Sequence, residues 1–504
     1  MRRVFGLETE YGITIQGAAS VDVVAESIEL VRSYTEHGAH MKWDYRLEDP
    51  HRDARGFRAA QLLQDTDESA YYEIDRNRPL SFEEIKSDLV LSNGARFYND
   101  HAHPEYSTPE CTTLRQLVAH EKAGERILAE CARRRNLKLP AGEEVRLFKN
   151  NTDFAGHSYG CHDNYLMRRD LPWDQLVAGV LPFLITRQIF AGAGKIGIEA
   201  ESAGGQPGVF QISQRADFFT TLVSIDTMNK RPLVNTRDEP HADADRYRRF
   251  HVIIGDSNMS EWATALKVGT TALVLDLIER GKAPQLEIAQ PINATKSISR
   301  DQDYHWIIEL SDGRKISATD VQRLYLKAAE REKSGDRETS WLLHEWEEVL
   351  NDLERDAAST RDRVDWSAKK SLLATFREEE KLSWTDPWLQ ALDLEYHNIQ
   401  PDQGLFHELL RQGSMRSIVS EKEINAAIFA PPETTRAYFR GRAVARFNHA
   451  ISSIQWDEIA FTNGARSRSV KLPEPAGDER LERLNELVRE DEEFEDFFRA
   501  LGRY

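Results

Sequence analysis

The sequence predicts an α+β protein, in which strands and helices occupy different segments of the chain. Alternation of apolar residues over the first fifteen positions indicates a strand. Amphipathic periodicity indicates helices at about 22–34 and 114–135. Between them, about 36–86, lies a charged stretch with scattered aromatic residues and no sustained period. An insertion of that length inside a folded domain is usually functional or mobile.

The same two patterns continue along the rest of the chain. The other predicted elements are a strand at 88–99, a helix at 173–192, a loop at 203–208 flanked by strands, and helices at 260–281 and 318–354. The pair Pro431-Pro432 is the best candidate for a domain boundary, because the residues after it carry strand and helix signals of their own. We therefore expect a large domain at 1–430, with an insertion at 36–86, and a small domain at 431–504.

Composition narrows the possible partners. The 504 residues are 40% hydrophobic and 30% charged, which is enough apolar material for a folded core. Lys and Arg number 66 against 84 Asp and Glu, so the net charge is −18. Nucleic acids and anionic membranes would repel such a chain at long range. We expect neither as a partner, although a local basic groove remains compatible with the global charge.

Three further observations predict a cytoplasmic protein. Charge at Glu8 and Glu10 interrupts the amino terminus before the apolar core of a signal peptide could form. No run of residues approaches the roughly 20 apolar positions that a membrane-spanning helix needs. The cysteines Cys111, Cys131 and Cys161 are too few for a disulfide framework and lack zinc-ligand spacing.

The first candidate site is the pair Glu8 and Glu10. Residues two apart on a strand point to the same side, and here the apolar residues occupy the opposite side. The commoner role of such a pair is a polar surface. If the pair lines a concavity instead, the carboxylates repel each other unless a cation lies between them, and Mg²⁺ with a nucleotide is the usual solution.

A second cluster lies at the end of the following strand. Arg96, Tyr98 and Asp100 share one strand face, and Pro104 breaks the strand so that Glu105 can return to that side. A carboxylate beside an arginine is more often part of a structural ion pair. An aspartate between a metal site and a phosphate-binding arginine could instead act as nucleophile or as base.

Imidazoles and guanidinium groups elsewhere could complete such a site. His162 follows a turn at Gly160, and His251 lies on the polar face of a predicted strand, so either can bind a metal or simply accept a hydrogen bond. Arg215 and Arg237 carry planar charged groups that suit phosphate or carboxylate, and either could equally form a surface ion pair.

One basic island stands out in the acidic chain. Residues 434–450 contain Arg436, Arg440, Arg442 and Arg446 and no acidic residue. A solvated helix face is the simpler interpretation. The alternative is a docking strip for an acidic partner.

Three long motifs resemble the Pup ligase/depupylase family, whose modifier Pup is a small, disordered, acidic protein. They are Gly6–Gly12 (GLETEYG), Asn93–Tyr106 (NGARFYNDHAHPEY) and Asn235–His251 (NTRDEPHADADRYRRFH). The resemblance runs from Met1 to about Phe461. It implies a fold similar to glutamine synthetase, with a curved antiparallel sheet that cradles ATP, flanking helices and a small C-terminal domain.

The family has two opposite activities, and two features resemble its hydrolase branch. One is the insertion with Trp43 and Arg52–Phe57; the other is the short His-Ala-His step between Asp100 and Pro104. The resemblance therefore implies an ATP- and Mg²⁺-dependent amidohydrolase. It would deamidate the C-terminal glutamine of Pup to glutamate and cleave the Pup–lysine isopeptide bond. The alternatives are the Pup–protein ligase, a small-molecule carboxylate–amine ligase and a non-enzymatic ATP-binding module.

The resemblance also implies roles for individual residues. Asp100 would be the catalytic carboxylate, either attacking the carbonyl carbon or activating water. The cofactors would be ATP, or ADP plus phosphate, and Mg²⁺, and the partners would be Pup and pupylated proteins, with the enzyme acting as a monomer. Metal would be bound by Glu8, Glu10, Tyr98, Glu105, His162 and His251. Nucleotide, phosphate and the end of Pup would be contacted by Arg96, Thr108, Trp456, Arg215 and Arg237.

Overall fold

A seven-stranded antiparallel sheet organises the part of the chain that the structure describes. The structure is a computed structural model that describes residues 3–35, 39–41, 43–63, 78–154, 156–197, 206–332, 335–489 and 493–504. The strands are β1 Phe5–Glu10, β2 Gly12–Gln16, β3 Ala39–His40, β4 Leu89–Leu91, β5 Arg96–Asp100, β6 His103–Ser107, β7 Glu144–Phe148, β8 Cys161–Arg168, β9 Lys195–Gly197, β10 Val209–Gln211, β11 Thr221–Ser224, β12 Pro232–Asn235, β13 Tyr247–Val252, β14 Ile307–Glu309, β15 Lys315–Ser317, β16 Ile451–Ile454, β17 Glu458–Asn463 and β18 Arg466–Lys471. The order in the seven-stranded sheet is β13-β8-β1-β6-β5-β4-β3, and every neighbouring pair is antiparallel.

Helices pack against this sheet and continue beyond it, so the predicted α+β class is confirmed. They are α1 Val23–Arg32, α2 Phe82–Lys86, α3 Leu114–Asn136, α4 Trp173–Thr186, α5 Gln188–Ala191, α6 Glu261–Glu279, α7 Pro291–Arg300, α8 Ala318–Arg331, α9 Arg337–Arg355, α10 Asp365–Glu380, α11 Pro387–Glu395, α12 Leu405–Arg411, α13 Glu421–Phe429, α14 Arg436–Phe447, α15 Glu479–Arg489 and α16 Phe494–Ala500. Within the described ranges, every helix is too short or too polar to span a lipid bilayer.

Alternation along β1 decides which face of the sheet is buried. Phe5 and Leu7 pack into the largest apolar cluster, together with Phe250 from β13 and residues of α3, α4 and α6. Glu8 and Glu10 point to the opposite face and are only partly buried. The helices therefore cover one face of the sheet near β1, and the other face carries polar side chains.

The predicted strand over the first fifteen residues is interrupted at Tyr11. β1 pairs with β6 and β8 in the main sheet, whereas β2 pairs with β7 in a separate two-stranded sheet. The alternation is continuous across this break, so the pattern alone could not show that the chain changes sheet. Predicted helices 173–192 and 318–354 are likewise each divided in two, at Arg187 and between Arg331 and Arg337.

A second apolar cluster lies in the C-terminal segment. It joins α14, β16–β18, α15 and α16 through residues such as Phe439, Phe461 and Phe497. Trp43 and Val90, which precede the predicted boundary by hundreds of residues, also belong to it. The division at residue 430 therefore stays a prediction, and the two segments share a packed interface.

The described part of the 36–86 insertion is docked on the rest of the chain. Trp43 is 5% exposed, and Asp53 accepts a hydrogen bond from the Thr236 hydroxyl at 2.6 Å. The Ala54 amide donates to the Thr236 carbonyl at 2.8 Å. Residues 36–38, 42 and 64–77 of the insertion lie outside the described residues, as do 203–205 of the predicted loop, whose flanking strands β9 and β10 are confirmed.

Two arginines of the basic island are buried, so both the solvated helix face and the docking strip are wrong for them. Arg436 and Arg440 are 3% and 0% exposed, and both pair with the Glu110 carboxylate. Arg446 donates to the Val488 carbonyl at 2.8 Å. The absence of acidic residues nearby in sequence was misleading, because the neutralising carboxylate, Glu110, lies three residues after the end of β6.

Candidate functional site

Strand register brings the predicted site residues together on the polar face of the main sheet. In the β1–β6 pair, Glu10 lies opposite Glu105, and in the β1–β8 pair Glu8 lies opposite His162. In the β5–β6 pair, Tyr98 lies opposite Glu105. Directly opposed residues of an antiparallel pair project to the same face. The short sequence clusters thus become a single cross-strand constellation.

All but one of the predicted residues line one cleft on this face, and the remaining one lines an adjoining cavity. The cleft contains Glu8, Glu10, Arg96, Tyr98, Asp100, Glu105, His162, Arg215, Arg237, His251 and Trp456. Thr108 lines the adjoining cavity, which Glu8, Ser107, His241, Arg249 and Trp456 share with the cleft.

The first candidate metal group consists of Glu8, His162 and His251. Their possible ligand atoms lie within 4.8 Å of one another. His162 Nδ1 is 3.3 Å from Glu8 Oε2, and the two imidazole rings meet edge to face at 4.8 Å. Burial lowers the pKa of both histidines, which favours the neutral form that binds metal.

Asn164 and Arg249 complete the surroundings of Glu8. Asn164 Nδ2 and Arg249 Nη1 each donate to Glu8 Oε1 at 3.1 Å. Although burial alone would raise the pKa of Glu8, its histidine and arginine neighbours hold that pKa below the ordinary value. Glu8 is therefore a charged acceptor at the centre of this group.

The second candidate metal group consists of Glu10, Asp100 and Glu105, again within 4.8 Å. Tyr98 donates to Glu105 Oε1 at 2.7 Å, and Ser107 donates to the same oxygen at 3.2 Å. Burial, followed by the charges of Asp100, Glu8 and Glu10, raises the pKa of Glu105 well above its ordinary value. Three carboxylates that repel one another form a site that a divalent cation would stabilise, and an oxygen donor set suits Mg²⁺.

Asp100 has a different environment from Glu105. Its side chain is 27% exposed, and Lys86 Nζ lies 2.6 Å from its Oδ1. Burial acts to raise the pKa of Asp100, but Lys86, His101 and Arg96 more than offset this effect and lower it. Asp100 is therefore ionised at neutral pH and open to the cleft, as a nucleophile or base must be.

Arg96 is enclosed by aromatic rings. Its guanidinium carbon lies 4.2 Å from the Trp43 ring centre and 3.9 Å from that of Tyr98. Its Nε donates to Asp88 at 2.8 Å, and one terminal nitrogen donates to the Tyr45 hydroxyl at 2.8 Å. Trp43 and Tyr45 belong to the insertion, so the insertion holds a predicted nucleotide-binding residue in place.

Arg215 and Arg237 reach the cleft from outside the main sheet. Arg215 is 2% exposed and donates to the Ile253 carbonyl at 2.6 Å and to the Ser158 hydroxyl at 3.2 Å. Burial and the nearby Arg231 lower the pKa of Arg215 to about 10. The buried Nε of Arg237 has no hydrogen-bond partner among the described residues. A nearby anion would relieve both unfavourable conditions.

The adjoining cavity is largely apolar, and Trp456 lines both the cavity and the cleft. Phe5, Leu7, Leu166 and Pro240 contribute to its walls. Thr108 accepts a hydrogen bond from the Leu7 amide at 3.0 Å, which holds the cavity wall together. An apolar cavity that opens into a cleft rich in arginines and carboxylates fits a nucleotide with its metal ions, the base in one part and the phosphates in the other.

Sequence reasoning missed several residues of the site. Ser107, Asn164 and Arg249 each lie two positions from a predicted residue on the same strand, so the period of two could have revealed them. Lys86 has no such signal, because it lies in a short helix outside the sheet. His241, with a positive φ of 47°, lines both the cleft and the cavity and was also missed.

Comparisons with known proteins identify relatives of this chain. A family model described as Pup-ligase protein matches residues 3–460. The chain is 44% identical to the depupylase of Acidothermus cellulolyticus over 94% of this chain and 93% of the relative. It is 41% identical to the Pup deamidase/depupylase of Mycobacterium tuberculosis, with the same coverage. It is 43% identical to the Pup–protein ligase of Saccharomonospora viridis over 79% of this chain and 90% of the ligase.

Solved structures agree as well. The ligase PafA in complex with Pup is similar with a TM-score of 0.79 and 32% identity, over all of this chain and 94% of PafA. PafA in complex with ADP is similar with a TM-score of 0.73 and 34% identity, over 87% of this chain and 96% of that one. This chain belongs to the Pup ligase family.

Proposed function

We propose that this protein is a nucleotide- and Mg²⁺-dependent amidohydrolase that converts the C-terminal glutamine of Pup to glutamate and cleaves the Pup–lysine isopeptide bond. The observation that carries the proposal is the share of this chain that each kind of relative matches. Relatives named as depupylases match 94% of the chain, whereas the ligase relative matches 79% at a similar identity. In the sequence comparison, the hydrolases therefore match more of this chain than that ligase does.

The cleft supports hydrolysis at Asp100. Asp100 is ionised, and its side chain is 27% exposed, against 20% for Glu8 and 13% for Glu10. Glu105 is buried beside Glu10 and Asp100. Glu8, Glu10, Glu105, His162 and His251 would hold the Mg²⁺ ions, with Tyr98 supporting Glu105. This division leaves one carboxylate for chemistry and the others for binding.

Arginines and the apolar cavity support nucleotide binding. Thr108 and Trp456 would enclose the base, and Arg96, Arg215 and Arg237 would face the phosphates and the terminal side chain of Pup. A related ligase has been solved with ADP, which supports nucleotide binding by this chain. Amide hydrolysis proceeds downhill without ATP turnover, so the nucleotide is a standing cofactor in this proposal.

The proposed reaction has two possible first steps at Asp100. In one, its carboxylate attacks the γ-carbonyl carbon of Pup's last residue, the carbon–nitrogen bond breaks as the nitrogen takes a proton and leaves, and water then hydrolyses the anhydride. In the other, the carboxylate takes a proton from water, which attacks the same carbon, and the nitrogen leaves with a proton as its bond to that carbon breaks. Bound Mg²⁺ would supply positive charge for the developing oxyanion, and bound phosphate would help to orient the reacting groups. Arg215 and Arg237 would add fixed charge around it.

The second candidate is a Pup–protein ligase, and one observation favours it. Both similar solved structures reported above are of the ligase PafA, one of them bound to Pup. A ligase would use the same cleft to activate the glutamate of Pup and would place a substrate lysine beside Asp100. Either activity would make Pup the partner of this chain.

One assay separates the two activities. The protein is incubated with ATP, Mg²⁺ and Pup ending in glutamine, and the mass of Pup is followed. Hydrolysis increases the mass by about 1 Da, since an amide becomes an acid, and a fluorescent Pup–lysine conjugate is cleaved. Conjugate formed from glutamate-ended Pup, with no deamidation, would exclude the hydrolase.

We also propose that the protein works as a monomer in the cytoplasm, without nucleic acid or membrane partners. The net charge of −18 supports the absence of nucleic acid and membrane partners. The three cysteines are buried, and so small a number in 504 residues suits a reducing compartment.

A further inference from the structure

Lys86 lies in the cleft at the place where the proposed reaction would put the amine that leaves the substrate. Its Nζ lies 2.6 Å from Asp100 Oδ1 and 5.7 Å from the centre of the Tyr98 ring. The Lys86 and Asp100 side chains are 17% and 27% exposed, and both line the cleft. Lys86 thus presents a primary amine to the carboxylate proposed for catalysis.

The helix that carries Lys86 is held weakly. None of the five residues of α2 is buried, and Phe82 is 54% exposed. Its capping box, between Ser81 and Glu84, lies within the segment itself. Outside contacts include a hydrogen bond from Asn99 Nδ2 to the Ile85 carbonyl at 3.0 Å. Segments with few buried contacts open at a low free-energy cost, so Lys86 can leave and return.

The two proposed reactions differ in what leaves the acyl carbon. In both, water supplies oxygen to that carbon, the carbon–nitrogen bond breaks, and the nitrogen gains a proton. Deamidation releases ammonia. Isopeptide cleavage releases a lysine side chain, which has the same four methylene groups and amine as Lys86. The departing amine must lie near the carboxylate that attacked the carbon or activated the water.

We propose that Lys86 occupies the subsite for the substrate's lysine amine and competes with it. This inference rests on the proposed function. Lys86 would hinder isopeptide substrates, whose lysine needs the subsite, more than terminal carboxamides, whose ammonia needs little space. A purely structural ion pair is the alternative, but partly exposed pairs contribute little to the stability of a fold.

The substitution Lys86→Met tests the competition, because methionine keeps an unbranched apolar stem and removes the amine. We expect the ratio of kcat/KM for isopeptide cleavage to kcat/KM for deamidation to rise. The rise would be about tenfold if Lys86 fills the subsite nine times in ten. Glu83→Gln, on an exposed residue of the same helix, is the matched control and should leave the ratio unchanged.

A second measurement uses Nα-acetyl-lysine amide as a probe for the subsite. Its binding to the nucleotide-loaded protein is followed by calorimetry, and its inhibition of deamidation by kinetics. Lys86→Met and Lys86→Gln should each bind the probe several-fold more tightly than the wild type, and Glu83→Gln should not. Agreement of the two Lys86 variants guards against a folding defect in either one.

Two outcomes would overturn the inference. One is an equal fall of both hydrolyses in Lys86→Met with recovery of both in Lys86→Arg, which would make Lys86 a positioning residue for Asp100. The other is unchanged probe affinity in both variants. If the wild type hydrolyses neither substrate, the proposed function fails, and probe binding alone still decides whether Lys86 fills an amine subsite.

Discussion

Arg440 lies against Trp456 and connects it to Glu110, in the segment that follows β6. The guanidinium carbon is 4.7 Å from the indole centre, and Arg440 Nη1 donates to the Trp456 carbonyl at 2.9 Å. The same nitrogen donates to Glu110 at 3.1 Å, and Nη2 donates to the Gly94 carbonyl at 2.8 Å. This buried arginine therefore fixes the wall of the proposed nucleotide cavity to the main sheet.

Arg440→Lys should weaken ADP binding by about tenfold, since losing a cation–π contact and a hydrogen bond costs about 1–2 kcal/mol. Lysine keeps the charge beside Glu110 but cannot make the forked contacts. Calorimetric titration with ADP and Mg²⁺ measures the effect. Arg446→Lys, on the same helix and bonded to Val488, is the control. Equal ADP affinities of Arg440→Lys and the wild type would contradict a role for Trp456 in nucleotide binding.

Trp43→Ala should lower the free energy of unfolding by about 3–5 kcal/mol, the usual cost of truncating a buried aromatic residue. Trp43 meets Trp456 edge to face at 5.3 Å and covers Arg96, so ADP affinity should fall too. Denaturant unfolding and ADP titration measure the two effects. Phe57→Ala, at a 51% exposed site of the same insertion, should change neither.

The Trp43 result also bears on deletion of the insertion. The irregular sequence pattern by itself predicts that removal of 42–80 preserves the fold. The structure predicts a loss of stability instead, because this deletion removes Trp43, a buried residue of the second apolar cluster. A deletion that begins after Asp53 should be tolerated better. Equal melting temperatures for the two deletions would contradict this.

Asp100→Asn should lower turnover by about 10²–10⁴-fold while ADP still binds, because asparagine neither attacks a carbonyl nor accepts the proton of water. Single-turnover deamidation and ADP titration measure the two properties. Asp153→Asn, at an acid outside the main sheet, is the control. Loss of Mg²⁺-dependent ADP binding would instead make Asp100 a metal ligand, as its place beside Glu10 and Glu105 permits.

Mg²⁺ should stabilise the protein by about 2.7 kcal/mol at a concentration 100 times its Kd. Glu105→Gln should remove most of this effect and leave the metal-free protein as stable as the wild type, because it relieves repulsion from Glu10 and Asp100. Melting curves with EDTA and with Mg²⁺ test both statements. Glu347→Gln, on an exposed position of α9, should keep the full Mg²⁺ effect. A metal shift that persists in Glu105→Gln would place the metal elsewhere.

His120 should make the protein sensitive to acid. It is 4% exposed, and burial lowers its pKa to about 3, against about 6.5 when unfolded. Between these values the unfolded chain binds a proton that the folded chain does not, so its contribution to stability falls by about 1.4 kcal/mol per pH unit as the pH drops. His120→Gln should flatten the decrease of melting temperature from pH 6 to pH 5. The exposed control His305→Gln should not, and equal slopes for all three proteins would contradict the assignment.

From the sequence alone, site residues could be grouped only when they lie on the same strand. Glu8 with Glu10, and Tyr98 with Asp100, were grouped correctly because residues two apart on a strand share a face. That these pairs meet each other depends on the register of β1 against β6, in which Glu10 lies opposite Glu105 although the two are 105 − 10 = 95 residues apart in sequence. Such pairing follows from the packing of whole elements, and no local pattern contains it.

The amino-acid sequence by itself determined the α+β class, the polar face of β1, and the family whose motifs it carries. Each depends on near neighbours in the chain or on long unbroken motifs. The tertiary structure alone decided that Lys86 meets Asp100 and that Arg440 is buried against Glu110 and Trp456. The chain contains 66 basic and 84 acidic side chains. Only the folded geometry, which sets distance and desolvation, selects which of them pair.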